Sequence, residues 1–337
     1  MNKITVVATS YNLEIQIDAF LNDLYKQTFK DFNIVIVDDN SSDGTQAVIE
    51  KWHKLFGDRL KPIFNLKNLG SCARTRNAAL KSGNINCEYI IFLDGDDRLE
   101  DNMLEKMYKI AVKENADMVS CAFDRIDVET GKSFSVEMTH FPKVIEMSPV
   151  DDMIAFANVS VWNKLWKWEA VQKLEYEDIY NGEDVLYSFN AYKRCSRLVY
   201  INDVLIHYYV RKQSVSNNTS EKEMWDLAKH MYKMFKTNNG VYKDIAGLMT
   251  FIHIGLSMPL RVANSNDIDL SKHIGITKKL FETKYDWFRN NDFMKYKSLK
   301  KHGVRGIAIW TALQAYRLNM FELLLCMYIK TKWNIKF

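Results

Sequence analysis

Three carboxylates crowd into four positions where an apolar run ends: Tyr89-Ile90-Ile91-Phe92-Leu93 leads into Asp94-Gly95-Asp96-Asp97. A β-branched and aromatic run that stops at acids reads as a buried strand delivering hard oxygen ligands to a sheet edge, where a divalent cation can be held. Carboxylates this close repel by roughly 1 to 4 kcal/mol per pair, depending on the local dielectric, so a cation or a base is needed beside them. Taken alone, the motif reads equally as a solvated acidic turn. Two further clusters change that reading: Val37-Asp38-Asp39-Asn40-Ser41-Ser42-Asp43-Gly44-Thr45, and Glu183-Asp184 after Asn181-Gly182. Asp39 ends its own apolar run and could accept a hydrogen bond from an imide N–H such as that of uracil. Helix capping is the competing role, for which Ser41, Ser42 and Asp43 are better placed.

The elements that must position these groups follow from hydrophobic period. Strands are predicted over residues 4–8, 33–37, 62–65, 89–93, 117–123 and 204–210, and helices over 14–27, 46–56, 73–81, 99–115 and 185–192. Such alternation implies a parallel, doubly wound α/β sheet with ligands beyond the carboxyl ends of the strands, where the polar clusters sit. After Arg211 strand signals fade, and helices are predicted over 221–235, 242–260, 271–281 and, as one long helix, 303–329. The expected domains are 1–212 and 213–337, with the boundary around Ser214-Val215-Ser216-Asn217-Asn218.

With 337 residues, 47% of them apolar and 13% aromatic, the chain can fill a sizeable core. Five cysteines without a C-x-x-C pair argue against a disulfide framework and for a reducing compartment. The N-terminal apolar run is too short for a signal-peptide core, and neither 246–260 nor 307–329 offers about 18 uninterrupted apolar residues, so no membrane span is expected. From Arg211 onward, 22 Lys and Arg face 10 Asp and Glu, a net +12 in a chain of net +4. Two modules with different partners are expected.

In order, Thr9-Ser10-Tyr11-Asn12, the Val37–Thr45 cluster, Asn68-Leu69-Gly70 with Arg76-Asn77, Leu93–Asp97, Trp162-Asn163-Lys164-Leu165, Gly182-Glu183-Asp184, and His207-Tyr208 with Arg211 and Ser214 closely resemble the family 2 glycosyltransferases over about the first 210 residues. The resemblance implies a GT-A fold, a Rossmann-like mixed sheet, followed here by an α-helical C-terminal module. Transfer from a nucleoside diphosphate sugar builds charge on the departing diphosphate. Without a Gly-rich phosphate loop, that diphosphate would meet carboxylates at a cost of about 4 kcal/mol per pair at 4 Å and an effective dielectric of 20. A bridging Mn²⁺ or Mg²⁺ reverses the sign and acts as a Lewis acid.

The resemblance assigns Asp96 to the metal, Asp94 to the ribose or the metal shell, and Asp39 to the base, with Thr9 and Tyr11 lining that pocket. It makes Asp184 the general base that takes the acceptor's proton, which implies inversion; complementing a helix dipole is the alternative for this residue. Arg76 is the expected donor-site arginine, although one extra residue after Asn68 leaves Arg74 in competition. Lys164 and Arg211 are candidates for phosphate contact, and His207 for metal or diphosphate, a role in which a lone strand histidine is more often a satisfied core residue. Asp97 is expected to be structural, capping the next helix. Trp162 is left between acceptor stacking and core packing.

The chain is thus expected to be an inverting, metal-dependent glycosyltransferase using a UDP-sugar, with a glycan or lipid-linked glycan of a bacterial surface polysaccharide as acceptor. A nucleotidyl- or glycerophosphotransferase and a catalytically inactive nucleotide-sugar-binding protein are the rivals, and the Asp184 position and the intact acidic set weigh against them. Lysines interleaved with Trp333 and Phe337 at the C-terminus suit an anionic membrane surface. Peripheral association with the inner face of the cell membrane is expected, with a homo-oligomer as an open alternative. No nucleic-acid partner is expected, because the basic charge is dispersed.

Overall fold

The opening apolar run forms β1 (Asn2–Ser10), and strict alternation follows: α1 (Glu14–Lys26), β2 (Phe32–Asp38), α2 (Thr45–Phe56), β3 (Leu60–Phe64), α3 (Cys72–Lys81) and β4 (Cys87–Asp94). The computed structural model describes residues 1–139, 143–147, 152–211, 220–264, 268–285 and 291–331. These first four strands pair in parallel in the order β3-β2-β1-β4, because helical crossovers join them. Ile4, Val6 and Ala8 of β1 and Ile91 and Leu93 of β4 bury one face against Phe20, Leu21 and Leu24 of α1. Alternation along β4 turns Phe92 to the other face, where it packs edge-on against Tyr176 and Tyr187 at 5.5 Å. Asp94 shares that face, which decides what it meets.

The second half departs from the parallel sheet expected from the alternation. It contains β5 (Arg98–Leu99), α4 (Met103–Lys113), β6 (Met118–Asp127), β7 (Ser133–Glu137), β8 (Val144–Glu146), α5 (Met153–Phe156), β9 (Lys164–Lys167), α6 (Trp168–Val171), α7 (Glu183–Tyr192) and β10 (Arg197–Val210). The full order is β3-β2-β1-β4-β9-β6-β10-β5, with β7 on β6 and β8 on β10. β9 runs antiparallel between β4 and β6, and β5, β7 and β8 are also antiparallel. The sheet is mixed, as in the GT-A fold. β9 spans only Lys-Leu-Trp-Lys, too short for a period-2 signal.

The helix expected from residue 99 starts only at Met103. Asp23 explains the delay, since its carboxylate accepts from Arg98 Nε at 2.6 Å, from Arg98 Nη2 at 2.9 Å and from the Leu99 amide at 3.1 Å, holding both residues in the edge strand. Asp97 therefore precedes a strand and caps no helix.

The chain divides into two compact units, residues 1–149 with 158–219 and residues 150–157 with 220–337. The expected boundary segment Ser214–Asn218 lies outside the described residues. In the second unit α8 (Glu221–Thr237) opens with a capping box between Ser220 and Glu223. It is followed by α9 (Gly240–Thr250), a π-helical stretch (Phe251–Ser257), α10 (Met258–Ala263) and α11 (Leu270–Leu280), then α12 (Tyr296–Leu299), α13 (Gly303–Arg317) and α14 (Phe321–Thr331). The single helix expected over 303–329 is two. Asn319 adopts φ 59°, and the amides of Met320 and Asn319 reach back to the Ala315 and Tyr316 carbonyls at 2.8 and 3.2 Å, closing a Schellman turn. Among the described residues the helical run Gly240–Ala263 has the length and composition to cross a membrane, but its apolar window is 78% buried, as in a core helix.

Candidate active site

Asp39 organises the far end of the site. Its Oδ1 accepts from Asn65 Nδ2 at 2.8 Å and from the Leu69 amide at 2.9 Å, and its Oδ2 from the Gly70 amide at 3.0 Å. Gly70 has φ 70°, which turns the chain back toward the carboxylate. A carboxylate offers about four lone-pair sites, so these bonds leave one, on Oδ2, for a single N–H donor. That is the complement an imide requires. The neighbouring Asp38 is fully buried and bonds Ser10 Oγ, Ser41 and Gln46 Nε2, so it braces the loop. Thr9 is buried near the end of β1, the strand next to β4, and Tyr11 is half exposed just beyond that strand.

The acidic motif is a tight turn, with the Asp97 amide donating to the Asp94 carbonyl at 3.2 Å. Gly95 is required by packing: its amide bonds the Thr9 carbonyl at 3.2 Å, and a Cβ there would stand 2.7 Å from Ile17 Cδ1 and 2.8 Å from that carbonyl. Asp96 pairs with Arg211 Nη2 at 3.4 Å. Burial and the Asp94 carboxylate push the Asp96 carboxyl above its ordinary range, and Arg211 opposes them. Burial, then Asp96 and Asp94, push Asp97 much further, and neither of its oxygens has a hydrogen bond of ordinary geometry. The donor chemistry fits a divalent cation. Asp94 and Asp96 supply hard oxygens, the Asp94 carboxylate disfavours the charge of Asp96, and a cation between them would remove that penalty. Among the described residues no group of three or more His, Cys, Asp or Glu side chains is arranged as a preformed cage.

Arg76 joins this turn to the proposed base. The side chain is 3% exposed; Nη2 donates to Asp94 Oδ1 at 2.9 Å, and Nη1 to Asp184 Oδ1 at 2.8 Å and Glu183 Oε1 at 3.0 Å. Its guanidinium also lies 5.3 Å from the Tyr176 ring, which stacks on Tyr187 at 4.1 Å. Asn77, one residue on, fixes Tyr176 by two backbone hydrogen bonds of 2.8 Å. Arg74 points elsewhere, to Asp178 at 2.6 Å, so of the two competing arginines Arg76 is the one at the carboxylates. Burial alone would discharge Arg76, but Asp184, Asp94, Tyr176 and Glu183 hold it firmly charged.

Gly182, at φ 89°, opens α7 and places Glu183 and Asp184 in its first turn. Burial raises both acids. Glu183 reaches about 7 with Asp184 as the second cause. For Asp184, Arg76, the Val161 amide and Lys164 oppose burial while Asp94 adds to it. The net direction for Asp184 is upward, a poorly solvated carboxylate with raised proton affinity, which suits a proton acceptor.

The remaining candidates lie apart from this hub. Lys164 is fully buried, and its ammonium donates to Asn158 Oδ1 and Asn163 Oδ1 at 2.8 Å and to the Ser160 carbonyl, so phosphate contact would require those bonds to open. His207 is engaged on both ring nitrogens, Nδ1 with Asp124 at 2.7 Å and Nε2 with Glu100 at 3.0 Å. Metal ligation would have to displace one of them. Trp162 is buried, stacked 5.4 Å from Tyr208 and edge-on to Phe123 at 4.6 Å, so core packing accounts for its ring. Ser214 lies outside the described residues. Sequence reasoning missed Glu183 as an Arg76 partner, Tyr176 as its aromatic floor, and the 158–161 loop. Only the adjacency of Glu183 to Asp184 was a visible signal.

Comparison with known proteins bears on the family and on the fold. Residues 5–159 match the family model described as Glycosyl transferase family 2. Glycosyltransferase GlyA of Streptococcus pneumoniae is 28% identical over 239 residues, 68% of this chain and 34% of that protein, so the chain spans about a third of that relative's length. The poly(ribitol-phosphate) beta-N-acetylglucosaminyltransferase TarP of Staphylococcus aureus is 27% identical over 304 residues, 86% of this chain and 87% of that protein. The crystal structure of S. aureus TarS 1–349 in complex with UDP-GlcNAc matches with a TM-score of 0.62 and 18% identity over 99% of this chain and 93% of that one, a likeness of fold. A mixed sheet of GT-A type, the family match and the curated glycosyltransferase relatives lead to one assignment: residues 5–159 of this chain form a glycosyl transferase family 2 region.

Proposed function

We propose that the protein transfers a sugar from a UDP-sugar, with UDP-GlcNAc the first donor to test, to a hydroxyl of a bacterial surface glycan with inversion at C1. The observation that carries this reading is that one guanidinium, Arg76, bonds both Asp94 on the donor side and Asp184 in the first turn of α7. The acceptor oxygen attacks C1, its proton passes to Asp184, and the C1–O bond breaks as UDP departs. Asp39 accepts the uracil imide N–H at its remaining site while Thr9 and Tyr11 line the pocket. Asp94 and Asp96 would hold Mn²⁺ or Mg²⁺, whose contribution when bound is Lewis-acid stabilisation of the diphosphate. Arg76 is set to hold Asp94 and Asp184 in register while that charge develops.

The acceptor in this reading is a growing polysaccharide or polyol-phosphate chain, soluble or lipid-linked; the polyol-phosphate class is suggested by the name of TarP. A place at the inner face of the cell membrane is supported by the +12 balance after residue 210 and by Leu323 and Met327, each 57% exposed on α14 near Lys330. The Lys332–Phe337 part of the basic aromatic tail lies outside the described residues. Salt-sensitive co-sedimentation with anionic but not neutral vesicles is expected; equal binding to both removes the membrane from the reading.

The decisive test is UDP release from UDP-GlcNAc, UDP-glucose and UDP-galactose with Mn²⁺, with and without poly(ribitol phosphate), for the wild type, Asp184→Asn and Asp96→Ala. Acceptor-stimulated release that is lost in both variants and in excess chelator is expected. Release that survives the chelator removes the metal, and an active Asp184→Asn removes the base.

A further inference from the structure

Arg74 stands apart from the carboxylates that Arg76 gathers, yet it joins two segments on which donor binding and proton transfer depend. The first is the loop after β3. Within it the Leu69–Gly70 peptide is held at both ends: its N–H, on Gly70, donates to Asp39 Oδ2 at 3.0 Å, and its carbonyl, on Leu69, accepts from Arg74 Nη1 at 2.8 Å. A trans peptide points these two groups in opposite directions, so the guanidinium fixes the plane of the amide that Asp39 meets. It also polarises that N–H toward the carboxylate oxygen that keeps a site for the base.

The second segment is the run between α6 and α7, which has no helix or strand over residues 172–182. It lies antiparallel along α3 as a strap. Ser71 Oγ donates to the Ile179 carbonyl at 3.1 Å, Arg74 Nε to Asp178 Oδ1 at 2.6 Å and Asn77 Nδ2 to the Tyr176 carbonyl at 2.8 Å, and Lys81 Nζ pairs with Glu175 at 2.7 Å. Spacings of three, three and four residues put these anchors on one face of the helix. Beyond Ile179 the strap reaches Gly182, at φ 89°, and α7 begins with Glu183 and Asp184. The strap therefore sets where the turn bearing Asp184 starts, and Arg74 is the anchor whose guanidinium also bonds the Asp39 loop.

We propose that Arg74 is a positioning residue of the transfer reaction: by holding the Leu69 carbonyl and the Asp178 carboxylate at once, it registers the nucleotide loop against the strap that leads to Asp184. The Arg74 and Asp178 side chains are 51% and 60% exposed, and an ion pair so open to water adds little to stability. What the guanidinium adds is geometry, because its planar fork bonds a carbonyl with one nitrogen and a carboxylate with another, which one ammonium cannot do in the same way.

This role rests on the reading of Asp39 and Asp184 as donor-binding and base residues, and the test separates the two. Arg74→Met cuts both arms and Asp178→Ala the strap arm alone; both are compared, in the full chain, with the double variant and the wild type. Amide hydrogen exchange is read by mass spectrometry, UDP affinity by calorimetry, and kcat from UDP release by UDP-GlcNAc with Mn²⁺ and poly(ribitol phosphate). Without ligand, residues 175–182 are expected to exchange roughly tenfold faster in both variants while β1 and β4 keep wild-type exchange. kcat should fall roughly tenfold in both, as for a misplaced reacting group. UDP affinity should weaken about three- to tenfold in Arg74→Met, which loses the Leu69 bond, and hold in Asp178→Ala. The double variant should be no slower than Arg74→Met, since one connection is cut twice. Wild-type exchange of the strap in Arg74→Met overturns the proposal, as do an unchanged kcat or losses that add in the double variant. A wild type that neither binds nor releases UDP overturns the glycosyltransferase reading and, with it, any role of Arg74 in transfer, whereas exchange of residues 175–182 reports on the clamp by itself.

Discussion

Arg76 Nη1 stands 2.8 Å from Asp184 Oδ1 in a position only 3% exposed, and this contact binds the first turn of α7 to the end of β4 through a single side chain. Arg76 satisfies three carboxylates from two elements at once, which a planar fork can do and a point charge cannot.

Removing that fork should therefore strand the acids. Arg76→Met is expected to destabilise the protein by about 3 to 5 kcal/mol, the range for breaking a buried ion pair from one side. Arg76→Lys should recover much of the stability but little of the activity, because one ammonium cannot bridge Asp94 and Asp184. Urea midpoints and UDP release measured on both variants check this, and equal activity of Arg76→Lys and wild type would sink it.

Asp39 meets Asn65, Leu69 and Gly70 with both oxygens. Asp39→Asn leaves one acceptor oxygen where the loop and the base together need two, so UDP affinity should fall by roughly 10- to 100-fold, the value of one or two hydrogen bonds to a charged group. Calorimetric titration with UDP is the measurement. Unaltered affinity would place the uracil elsewhere.

Gly95 has no room for a side chain beside Ile17 and the Thr9 carbonyl. Gly95→Ala should lower stability by about 1 to 3 kcal/mol as overpacking does, and should weaken Mn²⁺-dependent UDP binding because Asp94 and Asp96 flank it. A variant with wild-type melting temperature and metal response would show that the turn yields freely.

Lys164 gives the folding equilibrium a pH signature. Its folded pKa is pulled by burial from 10.5 to about 7, so between those values the unfolded chain holds a proton that the folded chain has released. The stability it contributes is fully present above 10.5 and is lost as pH falls to about 7. Over that window the wild type should gain stability relative to Lys164→Met, which lacks the group. Urea midpoints at pH 6.5, 8 and 9.5 read the difference, and a flat difference would contradict it.

The alternation of strands and helices through β4 was legible because parallel strands buried on both faces must be continuously apolar and their crossovers must be helical. The antiparallel β9 was not, because four residues between two strands need no pattern of their own when the sheet already fixes their environment. The break at Asn319 was hidden for another reason: one residue in the left-handed region ends a helix without disturbing the apolar spacing on either side.

The sequence by itself determined which acids could do chemistry, since strand ends and a helix first turn place Asp39, Asp94, Asp96 and Asp184 at the carboxyl edge of the sheet, and local period suffices for that. Only the tertiary structure decided that Arg76 rather than Arg74 meets them, that His207 is held by Asp124 and Glu100, and that the Lys164 ammonium is enclosed by Asn158, Ser160 and Asn163. Those outcomes depend on which side chains from distant segments share one buried volume. Charge pairing in a low-dielectric interior is set by separations of a few ångströms that no spacing along the chain encodes.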